Sequence, residues 1–515
     1  MDQIFALEYF DAIFRFLSNY KDLHSCLLVN KRWATCAVPI LWEVPFRIKD
    51  KKKPSSKVIQ VYLAFIPDST FQKLRYNKRI GLMISKPLFF NYPSFLKELS
   101  YDQFLNAAIA NKCCKDIIIE LFKMLTKNSV RLRRFDIYNY LNYYSEDLNN
   151  IGSLILPHFS ESTSIFSRLT YFNCCYQWPK QKTQLFNAIA RGCHNIKNLK
   201  VSICYEDEKI PLANLICSQR NLKKFSLINS NKFASFPVQA LVNQKHSLNS
   251  LTLEDMHCNR SLNKAKLFNY DICRLNGNAI DVLAQCTKIN KMKFKHCEGL
   301  NSSAFLPLAI AFPNLTSLEY FYGDYNIYDS ATPIRLLSGL IMTSCNTLKR
   351  IILDWHSPDD LEITQLVEII AQQVINLEYL KIPLYTLEQF TLIHQTHNPL
   401  KKLEIYASRR INPYCALYIF ANVPLKSLEH SIQLCFDYYD YSKLKFNPLN
   451  QIFESILYKS TRIVDFVLYT QLFHPFYRTN LLRNYPKLRI NILKRSRDYR
   501  NYSRFDFETL QRTRK

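Results

Sequence analysis

The sequence contains little glycine, few acidic residues for its size, and no long apolar run. Only 7 of its 515 residues are glycine, the residue that supplies left-handed backbone in tight turns and phosphate-binding loops. Neither GxGxxG nor GxxxxGKS/T occurs, which argues against nucleotide-binding loops and glycine-dependent hairpin barrels. The longest uncharged run, Leu300 to Leu318, contains Pro307 and Pro313 among polar residues. The sequence therefore predicts no membrane span.

Local signatures of catalysis and metal binding are also missing. GxSxG, HExxH and cysteine-protease motifs are absent. Asp359 and Asp360 follow a proline, as expected for a turn and a helix start rather than a catalytic pair. The 16 cysteines include no CxxC, and Cys113 and Cys114 are too close together to ligate one metal comfortably. We predict no enzyme activity, no cofactor and no metal site.

Basic residues exceed acidic ones, 68 to 42, so the formal net charge is +26. Such an excess favours an anionic partner, which could be nucleic acid, an acidic protein or an anionic membrane surface. Dispersal of the basic residues through the chain fits a solvated surface equally well. The first residues include Asp2, Glu8 and Asp11 and lack the apolar core of a signal peptide. We expect an intracellular location, in the cytoplasm or the nucleus, and free thiols.

Residues 1–46 contain three short amphipathic segments. Their large apolar side chains recur at helical spacing, first i, i+3, i+4 and i+7 and then as a second stripe. These positions are Phe10, Ile13, Phe14, Leu17, Leu23, Leu27, Val29, Trp33, Leu41 and Trp42. A segment of roughly forty residues is too small to bury a stable core alone. Part of this apolar surface is therefore expected to pack on a partner or on the next domain.

The same segment resembles the F-box, the module that docks a protein onto the Skp-family adaptor of cullin–RING ubiquitin ligases. The matching residues are Ile13-Phe14 followed by Leu17, Asp22-Leu23, Val29 to Trp33, and Leu41-Trp42. The closing Pro-x-Leu-Trp-x-x-Pro, Pro39 to Pro45, is similar to fungal F-box proteins in particular. The Leu-Pro pair that usually opens the motif is replaced by Phe5-Ala6. The resemblance implies that the apolar positions of the two stripes bind the adaptor.

Two segments separate this module from the rest of the chain. Residues 47–57, RIKDKKKPSSK, are predicted to be a basic linker because charge, proline and serine disfavour a packed element. Such a run could also bind nucleic acid or act as a nuclear import signal. Residues 58–127 are predicted to be a helical connecting region, with Ile117 to Leu125 as its clearest amphipathic piece.

A unit L-x-x-L-x-L recurs through residues 128–493, with other large apolar residues in some slots. Clear copies start at Leu132, Leu169, Ile196, Leu222, Leu248, Ile289, Leu315, Leu348, Leu377 and Leu400. Weaker copies are assigned to Leu425/Leu428 and Ile463, and a last strand to Leu488/Ile490/Ile492. This pattern is that of leucine-rich repeats, in which each turn of a solenoid contributes a short strand and then a helix. Cysteines near the slots, such as Cys193 and Cys286, resemble the cysteine-containing subclass.

The predicted fold class is therefore α/β, an N-terminal three-helix F-box-like module followed by a leucine-rich-repeat α/β solenoid. Side chains between the apolar strand slots should point away from the core. The basic residues chosen as candidate target contacts are Lys291, Lys293, Lys295, Lys349 and Arg350. A basic track of this kind suits an acidic or phosphorylated peptide. Carboxylates share the same positions, namely Glu254, Glu319, Asp354 and Glu404.

The resemblance implies a substrate-recognition subunit of an SCF-type ligase, with no chemistry of its own. The adaptor, and through it the cullin, would bind the N-terminal module, and a target protein would bind the repeats. The alternative is a basic leucine-rich-repeat scaffold that binds nucleic acid or acidic proteins without a role in ubiquitination. The tail at residues 494–515, with basic residues interleaved with Tyr499, Tyr502 and Phe505, would suit single-stranded nucleic acid. It fits an exposed terminus as well.

Overall fold

The computed structural model is α/β and comprises two compact units, Met1–Leu248 and Asn249–Lys515. The residues that it describes are 2–17, 19–46, 56–73, 88–129, 132–138, 163–175, 179–203, 205–228, 234–254, 275, 277–297, 300, 303–321, 333–354, 360–394, 399–407, 411–412, 415–416, 418–419, 431–436, 465–470 and 488–492. The predicted tail at 494–515 lies outside them. Of the predicted linker, the structure describes residues 56 and 57, which begin a helix.

The first unit opens with three helices, α1 (Asp2–Phe16), α2 (Tyr20–Cys26) and α3 (Lys31–Leu41). Asparagine side chains cap two of them, because an amide oxygen replaces the acceptor that the first turn lacks. Asn19 Oδ1 accepts from the backbone N–H of Lys21 at 3.0 Å, and Asn30 Oδ1 accepts from that of Trp33 at 2.9 Å. Helices α2 and α3 therefore begin directly after these asparagines, at the positions where the helical spacing of apolar residues is interrupted.

The three helices enclose a small core of their own. Its buried members are Phe14, Leu23, Cys26, Cys36, Ala37 and Leu41. The apolar packing then continues into the rest of the unit, as a segment of this size requires. The ring of Trp42 lies 4.3 Å from that of Tyr92 and 5.3 Å from that of Tyr62, centroid to centroid. Phe46 likewise meets Phe104, edge to face, at 5.7 Å.

Strands and helices alternate through the remainder of the first unit. In chain order these elements are α4 (Ser56–Leu63), α5 (Asp68–Lys73), a 3-10 helix at Tyr92–Phe95, β1 (Glu98–Ser100), α6 (Tyr101–Ala110), α7 (Lys115–Asn128), β2 (Arg134–Tyr138), a 3-10 helix at Thr163–Arg168, β3 (Tyr171–Cys175), a helix at Pro179–Gly192, β4 (Asn198–Ser202), a 3-10 helix at Glu206–Glu208, a helix at Lys209–Cys217, β5 (Lys224–Ile228), a helix at Ser235–Gln239 and a 3-10 helix at Ala240–Gln244. The strands pair in parallel and in chain order, β1 to β5.

The second unit repeats the same arrangement. Its elements are β6 (Ser250–Glu254), a helix at Gly277–Ala284, β7 (Lys291–Lys295), a 3-10 helix at Ser303–Phe305, a helix at Leu306–Ala309, β8 (Ser317–Phe321), a helix at Ile334–Thr343, β9 (Arg350–Asp354), a helix at Asp360–Gln373, β10 (Tyr379–Leu384), a helix at Leu387–His394, β11 (Lys402–Ala407), β12 (Ser431–Phe436), β13 (Asp465–Thr470) and β14 (Leu488–Ile492). Strands β6 to β14 are again parallel and in chain order.

The α/β class predicted from the sequence is confirmed, and parallel strands in chain order are compatible with a solenoid. The apolar slots supply the inward side of each strand. In β6, for example, Leu251 and Leu253 are buried, whereas Ser250, Thr252 and Glu254 are partly exposed. Alternation of this kind is what a pleated strand with one covered face requires.

The structure also contains two strands, β1 and β12, at positions that the repeat pattern does not predict. Residues 58–127 are predicted to be helical, but they contain strand β1, in which Leu99 pairs with Phe135 of β2. Leu96, Leu99 and Tyr101 have the spacing of the repeat. Strand β12 carries Ile432 opposite Leu403, whereas the weak copy at Leu425/Leu428 lies outside the described residues. Strand β6 pairs directly with β7, and β12 with β13. The long stretches of sequence between β6 and β7 and between β12 and β13 therefore place no strand between these neighbours in the sheet.

Within each unit, a shared carbonyl joins successive turns, from Glu43 to β5 and from β6 to β11. The residue before a strand accepts hydrogen bonds from two consecutive backbone N–H groups of the following turn. Lys97 O accepts from Arg133 N and Arg134 N, at 2.8 and 3.1 Å. Glu43 O, just after α3, accepts from Lys97 N and Glu98 N at 2.9 and 3.0 Å in the same way. The three-helix segment thus occupies the place of a turn preceding β1.

Candidate functional site

The sequence-predicted adaptor contacts divide between the core and the surface of the three-helix segment. Phe14, Leu23 and Leu41 are buried, Phe14 with 2% of its surface exposed. Partly buried side chains pack against them; these are Phe10, Leu17, Leu27, Trp33 and Trp42. Ile13 and Val29 are exposed, each at 55%. Most of the predicted contacts therefore hold the helices together, and two of them face solvent.

Three further large apolar side chains of the same three-helix segment are exposed. Phe16 is 87% and Leu28 80% exposed, and Tyr9 is also largely exposed. Tyr9, Ile13 and Phe16 are spaced i, i+4 and i+7, which places them on one side of α1. We call the exposed set the N-terminal face; it consists of Tyr9, Ile13, Phe16, Leu28 and Val29. Most of the predicted stripe forms the core, but Ile13 and Val29 are exposed. Helical spacing from Ile13 to Tyr9 and Phe16 is the sequence signal that indicates the exposed side of α1.

Charged side chains fix the base of this segment to the first strand. Arg15 Nη1 lies 3.1 Å from Glu43 Oε1, and Arg15 Nε lies 2.9 Å from Asp11 Oδ2. The hydrogen bond with Asp11, opposed by desolvation and aided by Glu43, raises the pKa of Arg15. Glu43 also pairs with Lys97, immediately before β1. One carboxylate therefore links α1 to the sheet through two cations.

The second candidate surface is the outward side of β6 to β11, here called the strand face. It consists of residues that alternate with the buried apolar slots. Its first row is Ser250, Lys291, Ser317, Arg350, Tyr379 and Lys402, matched across neighbouring strands. Its second row is Thr252, Lys293, Glu319, Ile352, Lys381 and Glu404. Three members of these two rows, Ser317, Ile352 and Glu404, are buried among their neighbours. Its third row includes Glu254, Lys295, Phe321 and Asp354.

The three predicted lysines of β7 have different environments. Lys293 Nζ lies 3.3 Å from Glu319 Oε2 on the next strand, and Lys295 pairs with Glu254 on the preceding one. Lys291 is exposed and has no carboxylate partner among the side chains that the structure describes. The basic track predicted along this strand is thus largely compensated, and Lys291 is its uncompensated member.

The other two predicted target contacts also have acidic partners. Arg350 Nε lies 3.2 Å from Glu319 Oε1, and Lys349 Nζ lies 3.3 Å from Glu378 Oε1. Glu378 additionally accepts a hydrogen bond from Lys401 at 2.8 Å. Hydrogen bonds from Lys401 and then Lys349 lower the pKa of Glu378. Glu378 is not evident from the sequence, because its position in the turn before β10 matters only when three successive turns are stacked.

Aromatic rings of the strand face contact cationic side chains. The guanidinium carbon of Arg350 is 4.2 Å from the centroid of the Tyr379 ring, and Lys402 Nζ is 5.2 Å from the same centroid. Burial, followed by the nearby carboxylate of Glu404, raises the pKa of Tyr379. Lys381 lies over Tyr406 in the same manner, 5.3 Å from its centroid. Cation–π contacts of this kind add to the ion pairs that join neighbouring strands.

The described residues contain neither a candidate metal site nor a candidate membrane-spanning helix. No group of three or more His, Cys, Asp or Glu side chains in this part of the chain could hold a metal ion. No helix within the described ranges is long and apolar enough to cross a membrane. The N-terminal face and the strand face are two candidate binding surfaces of the described residues.

Comparison with known proteins adds no identification. A scan against protein-family models finds no match for the chain, and a search of the curated proteins finds no significant relative.

Proposed function

We propose that the chain is the substrate-recognition subunit of an SCF-type cullin–RING ubiquitin ligase. The N-terminal face would bind a Skp-family adaptor and, through it, the cullin, and the strand face would bind the target protein. The chain would act in the cytoplasm or the nucleus by placing target lysines near a ubiquitin-conjugating enzyme, which raises their effective concentration. It would carry out no bond-making step itself.

The observation that carries this proposal is the exposure of the N-terminal face. The helices already have a filled core around Phe14, yet Phe16 and Leu28 keep more than three quarters of their surface exposed, at 87% and 80%. Tyr9, Ile13 and Phe16 follow one another along one side of α1, and contiguous exposed apolar side chains are a mark of protein docking surfaces. The F-box resemblance of the same segment supports a Skp-family adaptor as the partner.

The contacts between α3 and β1 support the proposed role of the three-helix segment as a docking module. The Glu43 carbonyl receives two backbone hydrogen bonds and its carboxylate two cations, Arg15 and Lys97. The aromatic contacts of Trp42 with Tyr62 and Tyr92 lie beside it. A ligase subunit that works by proximity needs a docking segment that is held firmly on its own unit, because a loose one lowers the effective concentration of the target.

The test is capture of the full-length chain on an immobilised Skp-family adaptor. Phe16→Glu places a charge at the most exposed position of the N-terminal face, and we expect it to reduce capture at least tenfold. Leu41 and Trp42 are poor choices for this purpose, because Leu41 is buried and Trp42 packs on Tyr62. Their replacement would disturb the fold as well as the surface.

Ile310→Glu is the matched control, because Ile310 is a large apolar side chain that is 76% exposed in the second unit. It should leave capture unchanged, and both variants should keep the wild-type unfolding transition. Failure of the adaptor to retain the wild-type chain, or equal losses with both variants, would rule out adaptor docking through the N-terminal face.

A further inference from the structure

Four residues of the first unit stack on one another just before strands β2 to β5. Arg133 O accepts from Thr170 N at 2.9 Å, Thr170 O from Lys197 N at 2.8 Å, and Lys197 O from Lys223 N at 2.8 Å. Neighbouring parallel strands are about 4.8 Å apart, so the row from Arg133 to Lys223 extends over about 14 Å. Three of its four members carry a positive charge along one edge of the sheet.

Further cations lie at the same edge. Arg168 is two residues before Thr170, Arg220 is three before Lys223, and Lys224 follows Lys223 directly. We call this set the basic edge; it consists of Arg133, Arg168, Lys197, Arg220, Lys223 and Lys224. Lys223 is partly exposed and the other five are exposed. The described residues of these four turns, 132–134, 166–171, 193–198 and 218–224, include no aspartate or glutamate.

The charge of the basic edge is not balanced within the part of the chain that the structure describes, where none of its six side chains forms an ion pair with a carboxylate. Neighbouring cations differ in this respect. Arg134, the first residue of β2, pairs with Asp136. At the corresponding edge of the second unit, Lys349 and Lys401 share the carboxylate of Glu378. Positive charge that remains to be matched by a partner is therefore concentrated on the basic edge.

The surroundings of the basic edge decide which anionic partner it suits. Among the described residues of its four turns, none is an exposed large apolar side chain that could enter a lipid surface or anchor a peptide. Tyr171 is the aromatic residue beside it, and the guanidinium carbon of Arg134 lies 3.8 Å from the centroid of that ring. Single-stranded nucleic acid is bound by stacking bases on open rings as well as by charge. The basic edge offers charge without such a ring.

We infer that the basic edge binds the phosphate backbone of a nucleic-acid duplex without reading its sequence. A duplex carries one negative charge per about 1.7 Å of its axis, so a surface that acts by charge alone gains most from it. Lysine and arginine contacts to phosphates position a protein on a duplex but do not distinguish bases. DNA and RNA duplexes share this chemistry. The inference does not depend on the proposed function, since it uses neither the N-terminal face nor the strand face.

The experiment measures the fluorescence anisotropy of labelled duplexes, about two helical turns long, with the full-length chain between about 50 and 200 mM salt. DNA and RNA duplexes are tested separately, and their affinities at equal salt identify the source of the backbone. We expect the logarithm of the affinity to fall linearly with that of the salt concentration, with a slope of about −3 to −5 for up to six phosphate contacts. Two DNA duplexes of unrelated sequence should bind within about twofold of each other.

Lys197→Gln combined with Lys223→Gln tests the basic edge directly. This double variant should bind the duplex at least about tenfold more weakly at 100 mM salt, and its salt slope should be shallower by about 2, one for each lost phosphate contact. The slope reports on the contacts themselves, because a general loss of folded protein would lower the amplitude and leave the slope unchanged. Circular dichroism checks that the unfolding transition is that of the wild type.

Lys209→Gln combined with Lys401→Gln is the matched control. It removes the same net charge, but each of these lysines already has an acidic partner, Glu206 and Glu378 respectively. Its salt slope should equal that of the wild-type chain. No duplex binding by the wild type at about 50 mM salt, or equal changes of slope in the two double variants, would overturn the inference. Tighter binding of polyglutamate than of the duplex, equally sensitive to Lys197→Gln and Lys223→Gln, would replace nucleic acid by an acidic protein.

Adaptor capture separates this inference from the proposed function. The Lys197→Gln and Lys223→Gln double variant should be retained by the immobilised adaptor as well as the wild-type chain is, and Phe16→Glu should bind the duplex with the wild-type salt slope. Duplex binding without any adaptor capture would reject the ligase role and keep the basic edge. Adaptor capture without duplex binding would reject the basic edge and keep the ligase role.

Discussion

Lys182 Nζ lies 3.2 Å from Glu208 Oε2, and neither side chain is exposed to solvent. Lys182 belongs to the helix before β4, Glu208 to the 3-10 helix after it, and Lys182 also donates to Ser202 Oγ at the end of the strand, at 3.2 Å. The pair therefore ties together the two segments that flank β4. Burial removes both charges from water, and their mutual attraction offsets part of that cost.

We predict that Lys182→Met lowers the free energy of unfolding by about 3–5 kcal/mol, because it leaves the Glu208 carboxylate buried without its cation. Combining Lys182→Met with Glu208→Leu should recover most of this loss, since no buried charge then remains. Urea unfolding followed by circular dichroism measures the difference. Lys209→Met is the control: Lys209 forms its 2.7 Å ion pair with the exposed Glu206, and the expected change is below about 1 kcal/mol. A double variant less stable than Lys182→Met alone would contradict the pairing.

The close approach of two helices at Gly339 gives a second prediction. A Cβ added at Gly339 would lie 2.5 Å from the Cβ of Ala309. Gly339→Ala should therefore destabilise the second unit by about 1–3 kcal/mol, despite the better helix propensity of alanine. Gly277 also lies in a helix, but an added Cβ there meets nothing within 4 Å. Gly277→Ala should be neutral or stabilising, and thermal unfolding of the two variants provides the comparison.

Relief of that clash checks its origin. Ala309→Gly in the Gly339→Ala background removes the methyl group that the new one meets, and part of the lost stability should return. No recovery would mean that the cost arises from another contact of Gly339.

The carboxylate of Glu378 predicts a dependence of stability on pH and salt. Its pKa lies below the ordinary value because Lys401 and Lys349 hydrogen-bond the charged form. A lowered folded-state pKa contributes stability that is complete above the unfolded pKa, about 4.3 for glutamate, and is lost as the pH falls through the folded value. Glu378→Gln should thus lower the thermal midpoint slightly at pH 7 and low salt. The difference should disappear in acid and, because Glu378 is on the surface, at high ionic strength.

Glu368→Gln is a suitable comparison, because Glu368 accepts from the neutral amide of Gln372 at 2.9 Å. Its midpoint should follow that of the wild type across the same pH range. A Glu378→Gln variant whose deficit persists in acid would show that packing, rather than charge, is lost.

The repeat spacing was enough to predict the α/β class and most strands, because the buried slots are large apolar residues at fixed intervals. The spacing alone does not locate β1, because this strand is only three residues long and α6 begins directly after it at Tyr101. The weak copy at Leu425/Leu428 also predicts a different position from that of Ile432, which lies opposite Leu403 in β12. The ion pairs of Lys293 and Lys295 could not be predicted from the sequence. Their partners, Glu319 and Glu254, lie on neighbouring strands and come close only through the register of the sheet.

The shared carbonyl at Glu43 also bears on how the chain folds. A parallel strand needs acceptors already in place beside it, and a first turn with nothing before it is costly to form. The three helices are made of local contacts and emerge from the ribosome before β1 does. Once formed, they present the Glu43 carbonyl to Lys97 and Glu98, and Lys97 then offers its own carbonyl to Arg133 and Arg134. We therefore expect the three-helix segment to form first and to act as the template on which β1, and then the next strands of the first unit, are added.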